Sequence, residues 1–549
     1  MGSNGRLPIF LVALGLGFLM IASGIGMRIQ QGRNVEVAIA ATQTAIITDT
    51  PAATATATAT LPPSETPTIT LTPTITPTGT LPPTSTATST PTPGPTPVPP
   101  QNVPPIVGTY PTPVESPATA IPTPSSPIFV PDGVINILLL GSDRRPDDGG
   151  FRTDTNIIVS INRNEGTVNM LSVPRDLYVY IPGWTMNRIN TADGRGAAVG
   201  WPGGGPGLLR ETLLYNFGIT IHYYVRVDFD GFREIVDTLG GIEVAVDCTL
   251  QGYRPLLTRE NFDSYEAWVD YTSDEENFYV HTLPVGVHEL DGDLALWYAR
   301  VRTGTTDFDR ARRQQQVLRA ILSRGRQLGM SDVLQIPELW RQYNDLVETD
   351  MGLGNMLQLA PIAADLDASE IRSFILTPEV LTPWLDPSQG ANVYLPVPGA
   401  IEGRLTVAMQ PPVQNYVTTN TATVEVRNGT NVDRLDEVAS DRLAWDSLNT
   451  IATGPNDETL GETVIYDFTG RQKASQLLLM QRLLRVADAN VIEQPDPNRA
   501  VDYLVVLGNN YQSCTYNPQD PVAPINVDDE DDADAENENT GVDEGDDDN

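Results

Sequence analysis

The chain has 549 residues, with 34 Lys and Arg against 70 Asp and Glu and a formal net charge of −36. That balance argues against general nucleic-acid binding, which calls for a basic excess or stripe, and taken alone it points to a cationic partner. Two cysteines, Cys248 and Cys514, and three histidines (His222, His281, His288) in no HxxxH or HExxH spacing leave no disulfide framework and no zinc signature. Any metal is then expected to be a hard cation on carboxylates.

Taken in chain order, residues 7–27 are 21 uncharged, mostly apolar residues, read as one uncleaved membrane-spanning helix. Arg6 on one side and Arg28 and Arg33 on the other leave the positive-inside count undecided. The next segment decides the orientation. Residues 48–127 form a stalk with three acids and no base, and residues 51–100 hold 14 Pro and 18 Thr. Such composition builds no core and favours an extended, solvated, disordered spacer of the kind found in extracytoplasmic stalks. Residues 526–549 are read as a disordered acidic tail, since 13 of its last 22 residues are Asp or Glu.

From residue 128 to 330 the pattern is that of a folded domain. The apolar run Val134 to Leu140 ends in Gly-Ser-Asp and reads as a buried strand followed by a tight turn. Residues 156–161 and 167–173 read as two strands joined by a hairpin connection, with 177–181 continuing the sheet. Helices are expected over 207–217, 230–239 and 291–302, and strands over 222–227 and 242–246. This alternation implies an α/β domain with a mixed sheet.

The chemistry-bearing residues fall at strand ends, where ligands gather in open α/β sheets. Asp143 and Arg144 follow the first strand, Arg152 and Asp154 lead into the second, and Arg175 and Asp176 follow Pro174 after the third. A second cluster is helical. Eight Arg against two Asp lie between residues 300 and 326, and Arg310, Arg313 and Gln314 share a helix face. Guanidinium forks bind pyrophosphate bidentately, and Asp143 with Asp154 can set a Mg²⁺ beside it.

These motifs, NILLLGSDRR, RTDTNIIVSIN, LSVPRDLYVYIPG, LDGDLALWYARVR and DFDRARRQQQVLRAIL, resemble the LytR-CpsA-Psr family of cell-wall phosphotransferases over residues 133–325. The resemblance implies a three-layer α/β/α sandwich around a mixed central sheet, whose pocket holds a polyprenyl pyrophosphate. It implies a Mg²⁺-dependent transfer of glycopolymer phosphate from an undecaprenyl pyrophosphate carrier to peptidoglycan. Residue by residue, Asp143 and Asp154 match the metal-associated aspartates, and Arg152 and Arg175 match pyrophosphate-binding arginines. Arg300, Arg302, Arg310 and Gln314 match the later phosphate-binding set, which Arg144 and Arg313 also fit. Asp154, Arg152 and Arg175 are the residues expected to act in the transfer itself.

Residues 251–286 are longer and less regular than the family pattern, and read as a surface insertion, a lid or an acceptor-sugar platform. Residues 331–420 read as a helical extension or connector that can finish the first domain. Residues 421–512 resemble the small α/β LytR C-terminal domain and carry no catalytic constellation. Cys248 and Cys514 fall in different units and are expected as free or distant thiols. The enzyme reading competes with a non-catalytic lipid-pyrophosphate or polymer binder, a pyrophosphate hydrolase and a transcriptional attenuator; the absence of a DNA-reading motif speaks against the last.

Overall fold

The computed structural model describes residues 117–143, 151–327, 346–366, 371–411, 421–512 and 514. The apolar segment 7–27, the stalk up to residue 116, Arg144 and the acidic tail lie outside these residues. Among the described residues no helix is long and apolar enough to cross a membrane.

Strands β1 (Val134–Ser142), β2 (Thr153–Asn162) and β3 (Thr167–Ser172) form an antiparallel meander, with Ile137 opposite Val159 and Val159 opposite Met170. β1 has no polar face because both of its faces are covered. Ile135, Ile137 and Leu139 enter one core, and Leu138 and Leu140 enter another. Each such side chain contributes roughly 1.5–3 kcal/mol on burial, which is why the run is apolar except at Asn136, whose buried amide donates to the Thr220 carbonyl at 2.8 Å.

β4 (Tyr178–Tyr180) does not continue the sheet as expected. It pairs instead with β5 (Met186–Arg188) in a separate hairpin. Pro174 has no N–H to extend the ladder, the Leu177 N–H turns back to the Pro174 carbonyl at 3.1 Å, and the Tyr180 N–H goes to Asn216.

Helices α1 (Thr191–Ala198) and α2 (Gly204–Phe217) lead to β6 (Tyr223–Val227), which lies parallel to β1. The imidazole of His222 accepts the Asn136 N–H at 2.9 Å, and burial lowers its pKa to about 4, so it is a neutral structural acceptor. There follow α3 (Phe229–Thr238), capped by Asp228, then β7 (Ile242–Val246), β8 (Leu250–Pro255), α4 (Tyr265–Thr272), β9 (Phe278–Leu283) and β10 (Gly286–Leu290). The insertion thus consists of the antiparallel pair β8–β9 with α4 between them. Helices α5 (Gly292–Arg300) and α6 (Asp307–Gln327) complete this part of the chain.

The described residues of the 331–420 extension, 346–366 and 371–411, are only partly helical. They supply β11 (Glu348–Thr349), α7 (Leu353–Asp365), β12 (Ile371–Ile375), the hairpin β13 (Leu381–Leu385) and β14 (Asn392–Pro396), and α8 (Ala400–Ala408). β11 and β12 close the two edges of a mixed six-stranded sheet of order β11-β6-β1-β2-β3-β12. Helices α3, α5, α6 and α7 contribute to the core on one face, and α1, α2 and α8 to the core on the other.

Residues 421–512 form a second sheet of order β16-β15-β19-β17-β18. Its elements are β15 (Thr423–Asn428), α9 (Leu435–Trp445), β16 (Asn449–Pro455), β17 (Val464–Asp467), α10 (Ala474–Leu484), β18 (Val491–Glu493) and β19 (Tyr503–Leu507). α9 docks on α6 of the first domain. Gln316 donates to Asp441 at 3.0 Å, and the Arg312 and Arg319 guanidinium groups lie 5.2 and 5.3 Å from the Trp445 ring centre. Asp247 pairs with Arg312 and, at 4.0 Å, with Arg442. A disulfide joins Cys248 to Cys514, with Cα atoms 4.8 Å apart. The expectation of free thiols is therefore wrong: domain docking brings together two residues that the sequence places in different units.

The one lysine of the chain is structural. Lys473 and Arg499 donate to the buried Asp502 at 2.7 and 2.9 Å, and the Thr423 N–H donates at 3.0 Å. Burial opposes the charge, but these donors outweigh it and carry the Asp502 pKa down to about 2. A depressed carboxylate pKa contributes stability that is present above the unfolded value of about 3.9 and is lost as pH falls through the folded one. Asp502→Asn is expected to destabilise the C-terminal domain by about 2 kcal/mol at neutral pH. Its deficit against the parent should shrink as pH falls from about 4 toward 2, measured by thermal melting; a pH-independent deficit refutes the assignment.

Candidate active site

Segments distant in the chain meet at one edge of the central sheet. β1 and β3 run toward this edge, parallel β6 ends there with Val227 opposite Gly141, and β2 starts from it. Beyond β1, the Asp143 N–H donates to the Arg152 carbonyl at 3.2 Å and its Oδ1 accepts the Arg152 N–H at 2.7 Å. Asp143 and Arg152 therefore close the neck of the connection into β2. Beside them Arg226 of β6 grips both carboxylate oxygens of the fully buried Asp193 at 2.9 Å and stacks on Phe151.

Asp154, near the start of β2, is the centre of the cluster. Its Oδ2 accepts from Arg175 Nη1 at 2.9 Å and its Oδ1 from Asn190 Nδ2 at 3.3 Å. Arg175 also donates through Nε to Asp176 at 3.2 Å, and Arg188 lies 3.9 Å from the other oxygen of Asp176. Arg310, in the first turn of α6, is buried and pairs with Asp307 at 3.2 Å.

The charges are strongly coupled. Burial alone would raise the Asp154 pKa, but Arg175, Arg310, the Asn190 amide and Arg302 together hold it below the ordinary Asp range. Burial lowers Arg310 to about 10, Arg302 and Arg175 adding to the effect against Asp307, so it stays charged at neutral pH. Asp143 and Asp176 are raised, chiefly by burial and further by the neighbouring Asp154 charge. Guanidinium groups that repel one another in a half-buried site are stabilised by an incoming anion.

Of the residues singled out in the sequence, the structure brings together Asp143, Arg152, Asp154, Arg175, Arg302 and Arg310. Arg313 does not belong with them. It is buried, and its donors go to the Tyr298 carbonyl at 2.9 Å, the Val301 carbonyl and Thr305 Oγ1, so it braces the turn between α5 and α6. Gln314 makes a long contact, 3.5 Å, to the Ala299 carbonyl. Arg300 is exposed at the end of α5, stacked 4.2 Å over Phe229.

Sequence reasoning missed Asn190, Arg188 and Tyr394. Asn190 is tied to the site from both sides, its N–H donating to the Arg175 carbonyl and its carbonyl accepting from the Thr153 N–H. Tyr394 is brought in when its N–H bonds the Asp176 carbonyl at 2.9 Å; its ring packs on Phe308. Burial, Asp307 and Asp176 raise its hydroxyl pKa. The tetrapeptide Asn-Arg-Ile-Asn at 187–190 gives no distinctive local signal for the first two, because its neighbours Thr185, Thr191, Asp193 and Arg195 are polar too.

The fold and this cluster define an α/β protein in which arginines from separate segments gather around one buried carboxylate. The chain belongs to the LytR_cpsA_psr family, whose model matches residues 116–399. It is 34% identical over 229 residues to the polyisoprenyl-teichoic acid–peptidoglycan teichoic acid transferase TagU of Oceanobacillus iheyensis, covering 41% of this chain and 61% of that relative. It is 35% identical over 193 residues to the regulatory protein MsrR of Staphylococcus aureus, covering 35% of this chain and 49% of MsrR. The chain thus spans about three fifths and about half of these relatives' lengths. The crystal structure of Bacillus subtilis TagV superposes with a TM-score of 0.39 at 25% identity, over 51% of this chain and 98% of that one.

Arg313→Lys removes the fork that holds the α5–α6 turn but keeps the charge. It is expected to cost about 1–3 kcal/mol of stability and to leave pyrophosphate affinity, measured by calorimetry, unchanged. Arg175→Ala should weaken pyrophosphate binding and, by leaving Asp154 and Asp176 without their shared partner, lower stability as well.

Proposed function

We propose that the protein is a membrane-anchored, extracytoplasmic transferase that moves a glycopolymer phosphate from a polyprenyl pyrophosphate carrier to peptidoglycan. The observation that carries this reading is the convergence of Arg175, Arg302 and Arg310 on Asp154. Such an arrangement suits a pyrophosphate, whose oxygens take several guanidinium forks at once. Family membership and the activity named for TagU support the same donor and acceptor.

In the proposed reaction an acceptor hydroxyl oxygen attacks the phosphorus that bears the glycopolymer. A new O–P bond forms, the bridging P–O bond breaks, and prenyl phosphate leaves with the electron pair while the hydroxyl proton is released. Charge grows on the leaving phosphate, and preorganised arginines lower the barrier by meeting it without reorganisation. Asp154, held ionised, orients Arg175; its depressed pKa makes it a weak base. Arg152 stands at the neck of the β1–β2 connection, where its charge can reach the same phosphates.

Asp143 and Asp154 are the residues that would hold Mg²⁺. The fit rests on their chemistry: two carboxylates close enough that the charge on Asp154 raises the Asp143 pKa, a repulsion that a cation relieves. Such an ion takes one or two carboxylates and completes its shell with phosphate oxygens and water. When bound, it would neutralise phosphate charge.

The regulatory name of MsrR keeps a non-catalytic lipid-pyrophosphate binder as the second reading. The aspartates separate the two, since a pyrophosphate trap needs the arginines more than a carboxylate pair. Asp154→Ala is expected to abolish transfer from a purified prenyl-pyrophosphate glycan to peptidoglycan while keeping lipid affinity within about tenfold. Equal transfer by variant and parent rules out the enzymatic reading. Arg302→Ala should weaken lipid binding by about tenfold or more, and unchanged calorimetric affinity removes that arginine from the site. Labelled sugar appearing in solution rather than on the wall identifies a hydrolase.

A further inference from the structure

The excursion between β8 and β9 is rich in aromatic residues. No described residue from 253 to 282 is buried, although the segment includes Phe262, Trp268, Tyr271 and Tyr279. Phe262, Trp268 and Tyr271 are half-buried, and Tyr279, Leu256, Leu257 and Val280 are exposed. A stretch of this length in which no described side chain is buried gains little to offset its ordering entropy, and exposed apolar patches of this kind mark interaction surfaces.

Two observations say what the surface meets. The first is where the excursion is rooted. Gly252 lies so close to the segment after α5 that a Cβ there would stand 2.4 Å from Val301 Cγ2 and 3.5 Å from Thr303 Oγ1. Trp297 Nε1 donates to the Tyr253 carbonyl at 3.0 Å, and His281 packs edge-on against Trp297 at 5.0 Å. The excursion therefore grows from both neighbours of Arg302, at the rim of the phosphate site.

The second is its chemistry. Phe262, Trp268 and Tyr271 form one cluster, with ring centres 4.9 to 6.3 Å apart. Around them residues 253–282 carry seven Asp and Glu against two Arg. Negative charge of that density repels phosphate polymers and anionic lipid headgroups. Half-exposed π-faces instead attract the apolar C–H faces of sugar rings, and carboxylates accept hydrogen bonds from sugar hydroxyls.

We propose that this excursion is the docking surface for the acceptor, a glycan chain of hydroxyl-rich sugar rings held at the rim of the phosphate site. The proposal rests on the transferase reading and deepens it by giving the acceptor side its own surface, separate from the arginines that hold the donor.

The test uses the full chain and peptidoglycan sacculi stripped of attached polymers, with binding read by sedimentation in the absence of donor lipid. Trp268→Ala with Tyr271→Ala is expected to weaken sacculus binding by about tenfold or more. Prenyl-pyrophosphate affinity, measured on the same preparation, should be unchanged and certifies the fold. Trp268→Phe with Tyr271→Phe should restore binding. A lipid-competent double-alanine variant that sediments like the parent overturns the proposal, as does a parent that does not sediment with sacculi. A parent that binds phosphatidylglycerol vesicles through the same two residues overturns it in favour of a lipid surface. Failure of the parent to transfer polymer, with sacculus binding still dependent on Trp268 and Tyr271, refutes the transferase reading alone.

Discussion

A single carboxylate holds the site together. Arg175 comes from the turn after β3, Arg302 from the connection between α5 and α6, and Arg310 from α6 itself, and all three act on Asp154. Without that charge, three guanidinium groups in a half-buried space repel one another until an anion takes its place, with Arg175 still paired to Asp176 and Arg310 to Asp307. With it the cluster is almost neutral. Arg152, Arg175, Arg188, Arg302 and Arg310 stand against Asp143, Asp154, Asp176 and Asp307, five charges against four. Such a site selects its ligand by the geometry of its forks more than by bulk attraction. Whole-chain charge therefore says nothing about the partner: much of the −36 lies in a tail remote in sequence from this cluster.

Helix α6 connects this site to everything around it. Arg310 in its first turn faces the arginine cluster, and Val317, Ala320 and Ile321 enter the main core. Arg312, Gln316 and Arg319, spaced at i, i+4 and i+7, meet α9 of the C-terminal domain. One helix thus carries both an arginine of the cluster and the contact surface for the C-terminal domain.

The parts of this arrangement that were legible in the sequence are those written locally. The apolar run 134–140 ending in Gly-Ser-Asp announces a buried strand and a turn, and Pro174 before Arg175 marks the end of another. What was hidden depends on pairing across distance. Arg313 and Arg310 have the same side chain on the same helix, yet one faces carbonyls at 298 and 301 and the other faces Asp307; no spacing rule distinguishes them. Tyr394 enters the site only because one edge of its hairpin meets Leu177, and β4 left the sheet because Asn216, distant in sequence, offered its N–H a better partner. The cysteines carried no signal at all, since pairing is a property of docked surfaces.

That pairing changes the topology of the molecule. With a sequence separation of 266 between Cys248 and Cys514, nearly half of the chain is a covalent ring, and the ring contains α5, α6, the acceptor-facing excursion and the whole C-terminal sheet. A protease that cuts once inside it opens the ring but releases no fragment. Arg302 and Arg310 stay covalently linked to the strand that carries Asp154 and the turn that carries Arg175, as befits a protein whose proposed workplace lies outside the cell's own repair and turnover machinery.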